Sequence, residues 1–185
     1  MTMSSCATAF GEPANGVNPK LRITFACEAD VPTILEFIRG LADYQRMPSA
    51  VMATEASLRQ TLFGPHPSGE VLLAFHESEC VGCAIYFATY SSMLAQSGIY
   101  LDDLYVKPQW RGQGIGRALL RHLAAIAVDR NCGRIEWMVL NWNAPAIRLY
   151  EGLGAVLMSE WTKCRLTEAT IREMAAVPSL SESTS

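Results

Sequence analysis

The order of predicted elements in this sequence indicates an α/β fold, with a mixed central sheet flanked by helices. Apolar residues alternate along several short segments and recur at helical spacing along others, and the two kinds of segment interleave along the chain. The chain has 185 residues, of which 50% are hydrophobic and 18% charged, as is typical of one folded domain. We expect that domain to span residues 21–177, between disordered polar stretches at 1–20 and 178–185.

The predicted elements can be placed one by one. Thr54 and Asn143 suit helix starts, as does Asp30 with Pro32 in the first turn of its helix. In order they are a strand at 21–26, helices after Asp30 and at 54–62, strands at 71–75, 81–90 and 99–106, a helix at 115–130, a strand at 134–140, a helix at 143–152, two strands within 155–166 and a helix at 167–176.

Composition and charge exclude several classes of protein. The net charge is -3 and no run of Lys or Arg occurs, so a nucleic-acid partner is not expected. Residues 81–101 carry no charge, but seven of them are Gly, Ser, Thr or Gln, which favours two buried strands around a polar loop over a membrane helix. The N-terminus lacks the pattern of a signal peptide. We therefore expect a cytoplasmic protein with no membrane partner.

Six cysteines are too sparse for a secreted disulfide scaffold, and free thiols suit the cytoplasm. Cys80 and Cys83 form one C-x-x-C pair around Val81-Gly82, where we expect a hairpin turn. A single pair is weak support for zinc or redox chemistry, because a zinc finger needs a second pair at matching spacing. Two small apolar strand residues are the favoured interpretation, and no metal is expected.

One segment carries a recognisable chemical pattern. The strand ending at Val106 is followed by a turn at Pro108 and by glycines that lead straight into a helix. Backbone N–H groups at a helix start are unpaired and lie at the positive end of the helix dipole, and glycines allow a phosphate to approach them closely. The third glycine of a dinucleotide fingerprint is replaced by Arg117, and no P-loop lysine is present. What remains is R-x-x-G-x-G, formed by Arg111, Gly114 and Gly116.

This arrangement resembles motif A of the GNAT superfamily of acyl-CoA-dependent N-acyltransferases. A closer resemblance, to the diamine acetyltransferase branch that acts on spermidine, spermine and thialysine, covers most of the domain. The segments that carry it are residues 41–44, 63–67, 89–90, 100–103, 142–145, 149–150 and 154–155. The resemblance implies a GNAT fold with a splayed pair of central strands, acetyl-CoA as co-substrate and a homodimer.

The resemblance also assigns roles to individual residues. It implies Tyr150 as the acid that protonates the leaving thiolate and Asp102 as the base. The implied coenzyme-binding residues are Leu104, Tyr105, Val106, Arg111, Gly112, Gln113, Gly114, Ile115, Gly116, Arg117, Asn143, Ala144, Pro145 and Ala146. The implied acceptor-binding residues are Tyr44, Gln45, Asp102, Glu136, Trp137 and Met138.

Elementary chemistry supports such roles but leaves alternatives open. An alkyl ammonium must lose a proton before it attacks, and a phenol of pKa about 10 can protonate a thiolate. Strict alternation puts Asp102 and Asp103 on opposite strand faces, so at most one lines a given cleft. Tyr150 could instead be a core tyrosine, because Ile147 and Leu153 share its predicted helix.

Departures from the family pattern bear on the acceptor. Asp102 stands where the branch has glutamate, Gln45 where the polyamine enzymes have glutamate, and Thr24 where arginine is usual. These differences argue against a polyamine substrate more than they argue against acetyl transfer. We expect an acetyltransferase acting on a polyamine or on a lysine- or thialysine-like amine. A protein or antibiotic amine, or a module that binds acyl-CoA without catalysis, remains the alternative.

Overall fold

The structure is a computed structural model that describes residues 20–176. Apart from Lys20, the predicted N-terminal extension lies outside the described residues, and so does the predicted tail. The chain divides after Ala146 into two compact units. The described elements of the first unit are β1 (Leu21–Phe25), α1 (Val31–Tyr44), α2 (Glu55–Phe63), β2 (Glu70–His76), β3 (Glu79–Ser91), β4 (Gln96–Val106), α3 (Ile115–Asp129) and β5 (Ile135–Trp137). A further helix, α4 (Ala144–Glu151), begins in this unit and ends in the next.

The five strands form one mixed sheet in the order β1-β2-β3-β4-β5. The first four pair antiparallel, whereas β5 runs parallel to β4. A parallel neighbour needs a crossover connection, and α3 supplies it. The uncharged run 81–101 forms most of β3 and the first half of β4, as two strands around a polar turn. The predicted mixed α/β architecture is therefore confirmed.

Helices cover both faces of the sheet. Val71, Leu73 and Cys83 pack with α1 and α2 in one buried cluster. Residues that alternate with them face the other way, and a Cβ on Gly82 would lie 3.3 Å from Ile115 of α3. Burial on both faces explains why the central part of β2 is continuously apolar rather than alternating.

Two predicted helix caps have different outcomes. The Thr54 side chain accepts a hydrogen bond from the Ser57 N–H at 3.1 Å, as expected for the start of α2. Asp30 precedes α1 but does not cap it, because its carboxylate accepts a hydrogen bond from the Cys27 N–H at 2.8 Å. It stabilises the short 3₁₀ turn before the helix instead.

The prediction of a hairpin turn at Val81-Gly82 was wrong. The turn between β2 and β3 falls at Glu77-Ser78, where Glu77 adopts a φ of 54°. Val81 is buried and Gly82 pairs with Ala74, so both lie inside the strand. The polar residues Glu77 and Ser78 form the turn at the surface, because Val81 and Gly82 pack inside the sheet.

The end of β4 departs from regular pairing in two ways. Between Ile85 and Tyr86 the register with β3 shifts, so that Asp103 lies opposite Ile85 and Leu101 opposite Tyr86, which leaves Asp102 as the extra residue of a β-bulge. On the other side, β5 pairs with β4 only as far as Leu101. Within the described residues 20–176, the last part of β4 has no strand partner on the β5 side.

The second unit, from Ile147 onward, contains the rest of α4 and α5 (Glu168–Ala176) in its described part. The two strands expected within 155–166 are absent from the described residues, so this prediction was wrong. Backbone groups of a strand need a partner strand. The backbone hydrogen bonds of this segment are local: the Ala155 N–H donates to the Tyr150 carbonyl and the Trp161 N–H to the Met158 carbonyl. The alternation of apolar residues within 155–166 is therefore not enough to form a strand without a partner strand.

Candidate active site

The glycine-containing segment after β4 adopts a conformation that only glycine accepts readily. Gly112 has a φ of 77° and Gly114 a φ of 82°. A Cβ at either position would meet no heavy atom within 4 Å, so backbone conformation rather than packing demands glycine here. The Ala118 N–H donates to the Gly114 carbonyl at 2.9 Å, which begins α3. The predicted strand, turn, glycine loop and helix are all present.

Backbone N–H groups of this loop remain available to a ligand. The Arg111 N–H donates to the Pro108 carbonyl at 3.2 Å, but within residues 20–176 the N–H groups of residues 112–117 have no backbone acceptor. Residues 111–114 are exposed, so these donors are not sealed in the core. Free N–H groups at the positive end of a fifteen-residue helix have the geometry and charge that suit an anion.

The start of the loop is held to the β2–β3 turn. The ring of Trp110 lies 4.5 Å from that of His76, and its Nε1 donates to Glu79 Oε1 at 3.3 Å. Lys107 Nζ lies 3.6 Å from Glu79 and 3.7 Å from Glu36 of α1. These contacts anchor the residues that precede the glycines to β2, β3 and α1.

The bulge in β4 changes the expected arrangement of two carboxylates. Asp102, the extra residue of the bulge, is exposed, whereas Asp103 is half-buried. Burial raises the pKa of the Asp103 carboxyl to about 6, and the neighbouring Asp102 carboxylate adds to the rise. Sequence reasoning chose Asp102 as the functional carboxylate and gave Asp103 no role.

A third carboxylate lies on the neighbouring strand. Glu136 of β5 pairs with Tyr100 of β4, and its carboxylate lies 2.8 Å from Arg134 Nε. Burial raises the pKa of the Tyr100 phenol, and the negative charges of Asp102 and Glu136 raise it further. Asp102 and Glu136 therefore both act on Tyr100, and Asp103 follows Asp102 just beyond the last residue of β4 that pairs with β5.

The end of α1 meets the start of α4. The Tyr44 hydroxyl donates to Asn143 Oδ1 at 2.9 Å, and the same oxygen accepts the Ala146 N–H at 3.4 Å. Asn143 thus caps α4 as expected, and Tyr44 orients the cap. Trp142, which sequence reasoning gave no role, lies 5.7 Å from the Tyr44 ring. Trp142 and Asn143 belong to one of the segments that carried the resemblance, which was the available signal.

The remaining acceptor-binding candidates lie at or near β5. Its strand is shorter than the predicted 134–140, because only Ile135, Glu136 and Trp137 pair with β4. Trp137 is half-buried, and Met138, 52% exposed, follows the strand. Gln45 follows the last residue of α1.

Tyr150, the predicted acid, lies on α4 in the second unit. Its side chain is buried, with 8% of the residue exposed. Both a catalytic and a packing role are compatible with that burial. Its role therefore stays a prediction.

A cavity of about 350 Å³, which sequence reasoning did not identify, opens between α1 and the end of β4. Its walls carry carboxylates and cations together with the ring of Tyr105. The lining residues are Pro32, Leu35, Glu36, Phe37, Arg39, Gly40, Asp43, Glu55, Tyr105 and Lys107.

The cysteine pair in β3 is part of the sheet. Cys83 is buried, and burial holds the pKa of its thiol well above the ordinary value; burial also raises the pKa of Cys80 to about 11. Thiols held in the protonated form are poor nucleophiles and poor metal ligands. Among residues 20–176 no group of three or more His, Cys, Asp or Glu is placed to hold a metal ion. The favoured interpretation, two small strand residues, agrees with this placement.

No helix in the described part of the chain combines the length and the apolar character that crossing a membrane requires.

Comparison with known proteins identifies the family. The sequence profile of the Acetyltransferase (GNAT) family matches residues 38–155. The chain is similar to thialysine N-epsilon-acetyltransferase of Sus scrofa, at 37% identity over 161 residues that cover 81% of this chain and 94% of that protein. It is also similar to L-ornithine N5-acetyltransferase NATA1 of Arabidopsis thaliana, at 30% identity over 79% of this chain and 84% of that one.

Solved structures agree on the fold. An integron cassette protein from the mobile metagenome of V. cholerae superposes with a TM-score of 0.72, at 25% identity, over 85% of this chain and 98% of that chain. An aminoglycoside acetyltransferase from an uncultured soil sample superposes with a TM-score of 0.68 at 19% identity, over 80% of this chain and 96% of that chain. The family profile and the relatives place the chain in the GNAT family, as an acyl-CoA-dependent N-acetyltransferase.

Proposed function

We propose that this enzyme transfers an acetyl group from acetyl-CoA to a primary amine of a small molecule that resembles lysine, thialysine, ornithine or a polyamine. The observation that carries the proposal is the glycine loop after β4: residues 111–114 are exposed, and the N–H groups of residues 112–117 have no backbone acceptor in the described chain. The loop follows the part of β4 that has no partner on the β5 side. Relatives that share 37% and 30% of their residues with the chain are named for the acetylation of thialysine and of ornithine. Both acceptors are small amines with an amino-acid head.

The described residues fit the shape and charge of the co-substrate. A diphosphate needs several N–H donors converging on open space, and the loop offers them without an intervening side chain at Gly112 or Gly114. A pantetheine arm carries amides, which pair with unpartnered strand backbone. We assign the diphosphate to Gly112, Gln113, Gly114, Ile115, Gly116 and Arg117, and the pantetheine arm to Leu104, Tyr105, Val106 and the helix start at Asn143, Ala144, Pro145 and Ala146.

Charge favours a cationic acceptor near the separation of β4 and β5. Asp102, Asp103 and Glu136 lie there, and Glu136 already pairs with Arg134. An ammonium group is attracted to such a region, and a carboxylate can then accept its proton. We assign acceptor contacts to Tyr44, Gln45, Asp102, Glu136, Trp137 and Met138.

The reaction is a direct transfer. An alkyl ammonium loses one proton to Asp102, directly or through water, and the neutral amine nitrogen attacks the thioester carbonyl carbon to form a C–N bond. As the tetrahedral intermediate collapses, the C–S bond breaks and the nitrogen releases its second proton to water. Backbone N–H groups at the end of β4 stabilise the oxyanion. The departing thiolate takes a proton from the Tyr150 hydroxyl, because a phenol is a suitable general acid for a thiolate leaving group. The proposed acid and base roles are supported by the family resemblance and by this chemistry.

We also propose that the enzyme is a cytoplasmic homodimer. The support for the dimer is the family resemblance, and light scattering on the purified protein tests it. The five described cysteines carry free thiols, which suits a reducing compartment. Localisation of the tagged full chain in its native cell tests the compartment.

The acceptor is tested by measuring consumption of acetyl-CoA against diamines, polyamines, lysine, thialysine, ornithine, aminoglycosides and peptides. Preference for an amino-acid amine or a polyamine by at least about tenfold in kcat/KM supports the proposal. A preference for a peptide or an aminoglycoside would contradict the proposed acceptor class. Binding of CoA without turnover on any amine would indicate a non-catalytic module.

A further inference from the structure

The Arg111 side chain is already engaged within the protein. Its guanidinium carbon lies 4.4 Å from the centroid of the Tyr44 ring and 5.5 Å from that of Tyr105. Its Nε donates to the Val106 carbonyl at 3.0 Å. A guanidinium over an aromatic face is held by the ring quadrupole as well as by its hydrogen bonds. The side chain therefore bridges the loop, the end of β4 and the end of α1.

The Tyr44 side chain extends this connection to a second helix start. Its ring receives Arg111, and its hydroxyl donates to Asn143 Oδ1 at 2.9 Å. That oxygen also accepts the Ala146 N–H, so it fixes the first turn of α4. The chain of contacts from Arg111 through Tyr44 to Asn143 joins the starts of α3 and α4, which are far apart in sequence. All of these residues lie in the first unit.

We propose that Arg111 is a positioning residue that sets the two helix starts relative to each other through Tyr44, and is not a charge partner of the coenzyme diphosphate. This rests on the proposed function, because it assumes that the starts of α3 and α4 both receive the co-substrate. Arginine suits the role because its planar group can stack and donate at the same time, which the ammonium of lysine cannot do. Tyr44 is then a second positioning residue, acting through its ring on one side and its hydroxyl on the other.

The two roles predict different behaviour with a shortened donor. S-acetylpantetheine lacks the diphosphate and the nucleotide but keeps the arm assigned to β4 and α4. If Arg111 positions the site, Arg111→Gln lowers kcat/KM about 5- to 20-fold for acetyl-CoA and by a similar factor for S-acetylpantetheine. If Arg111 pairs with the diphosphate, the same variant lowers kcat/KM for acetyl-CoA alone. Arg22→Gln, which removes an exposed guanidinium that lies 4.4 Å from the Phe75 ring outside the assigned site, is the matched control and leaves both values unchanged.

A double-mutant cycle tests the coupling directly. Arg111→Gln and Tyr44→Leu each weaken CoA binding measured by calorimetry, and the double variant is no weaker than the worse single variant, because either change breaks the same connection. Tyr44→Phe keeps the ring but loses the bond to Asn143, and it shows only part of the loss. Arg111→Lys keeps the charge and behaves like Arg111→Gln. Thermal unfolding of the free variants separates these effects from loss of fold.

The inference is overturned if the losses of the two single variants multiply, if Arg111→Lys retains wild-type affinity, or if S-acetylpantetheine turnover is insensitive to Arg111→Gln. Failure of the proposed function looks different, because the wild-type protein then binds no CoA and transfers no acetyl group from either donor.

Discussion

A Cβ built on Gly40 would lie 2.8 Å from both Cζ and Oη of Tyr105. The ring of Tyr105 therefore occupies the space that a side chain at position 40 of α1 would need. The same ring lies 5.9 Å from that of Phe37 and within 5.5 Å of the Arg111 guanidinium. A helical glycine normally destabilises a helix, so its presence here reflects the close approach of α1 to the end of β4.

Gly40→Ala is expected to change coenzyme affinity more than stability. Alanine improves helix propensity by about 1 kcal/mol, and moving the end of one tyrosine side chain offsets part of that gain. The displaced ring leaves Arg111 less well supported, so KM for acetyl-CoA rises. Thermal unfolding and steady-state kinetics check both effects. A full gain in stability with an unchanged KM would show that the position of the Tyr105 ring does not matter for coenzyme binding.

Gly114→Ala is expected to weaken CoA binding at least about tenfold, which corresponds to about 1.4 kcal/mol. The new methyl group meets no protein atom, but it forces a left-handed conformation on alanine and projects into the space assigned to the diphosphate. Gly154→Ala is a matched control, since Gly154 has a φ of 89° and equally open surroundings after α4. Calorimetry should show a loss for the first variant only. Equal CoA affinities of the two variants would contradict the assignment of the diphosphate to this loop.

Asp103→Asn is expected to stabilise the protein at neutral pH. Its folded-state pKa of about 6 lies above the ordinary 3.8, so ionisation is disfavoured in the folded protein. The destabilisation is absent below about pH 4 and complete above about pH 6, where it reaches about 2–3 kcal/mol. Denaturant unfolding at pH 7.5 should show the gain for Asp103→Asn, and unfolding at pH 4 should not. Asp102→Asn, at the exposed neighbour, should show a smaller gain in stability at pH 7.5; an equal gain would contradict the assignment of the raised pKa to Asp103.

Tyr150→Phe is expected to lower kcat about 100-fold or more while CoA affinity stays near that of the wild type. Loss of a general acid affects the transition state, whereas the phenyl ring preserves packing. The loss of kcat in Tyr150→Phe should be smaller with an acetyl donor whose thiol is more acidic, because such a leaving group depends less on protonation. Unchanged kcat would identify Tyr150 as a core tyrosine.

The glycine loop was predictable because its signals are local. A strand, a proline turn, glycines and an amphipathic helix follow one another directly, and the structure contains each of them. Thr54 and Asn143 caps were predictable for the same reason, since a cap bonds to residues two or three positions away.

Features that depend on distant partners were not predictable. The bulge at Asp102 arises from the register between β3 and β4, which the alternation of residues within one strand does not reveal. The surroundings of Arg111 depend on Tyr44, which is remote in sequence. Alternation within 155–166 suggested strands, but a strand also requires a partner that local pattern does not reveal.

Titration of the full-length protein with CoA, followed by calorimetry and by backbone amide NMR, tests the central claim most directly. We predict saturable binding with a dissociation constant well below about 1 mM and the largest amide shifts at residues 112–117. An absence of binding at about 1 mM CoA, or binding that leaves these amides unperturbed, would contradict the assignment of the helix start as the diphosphate site.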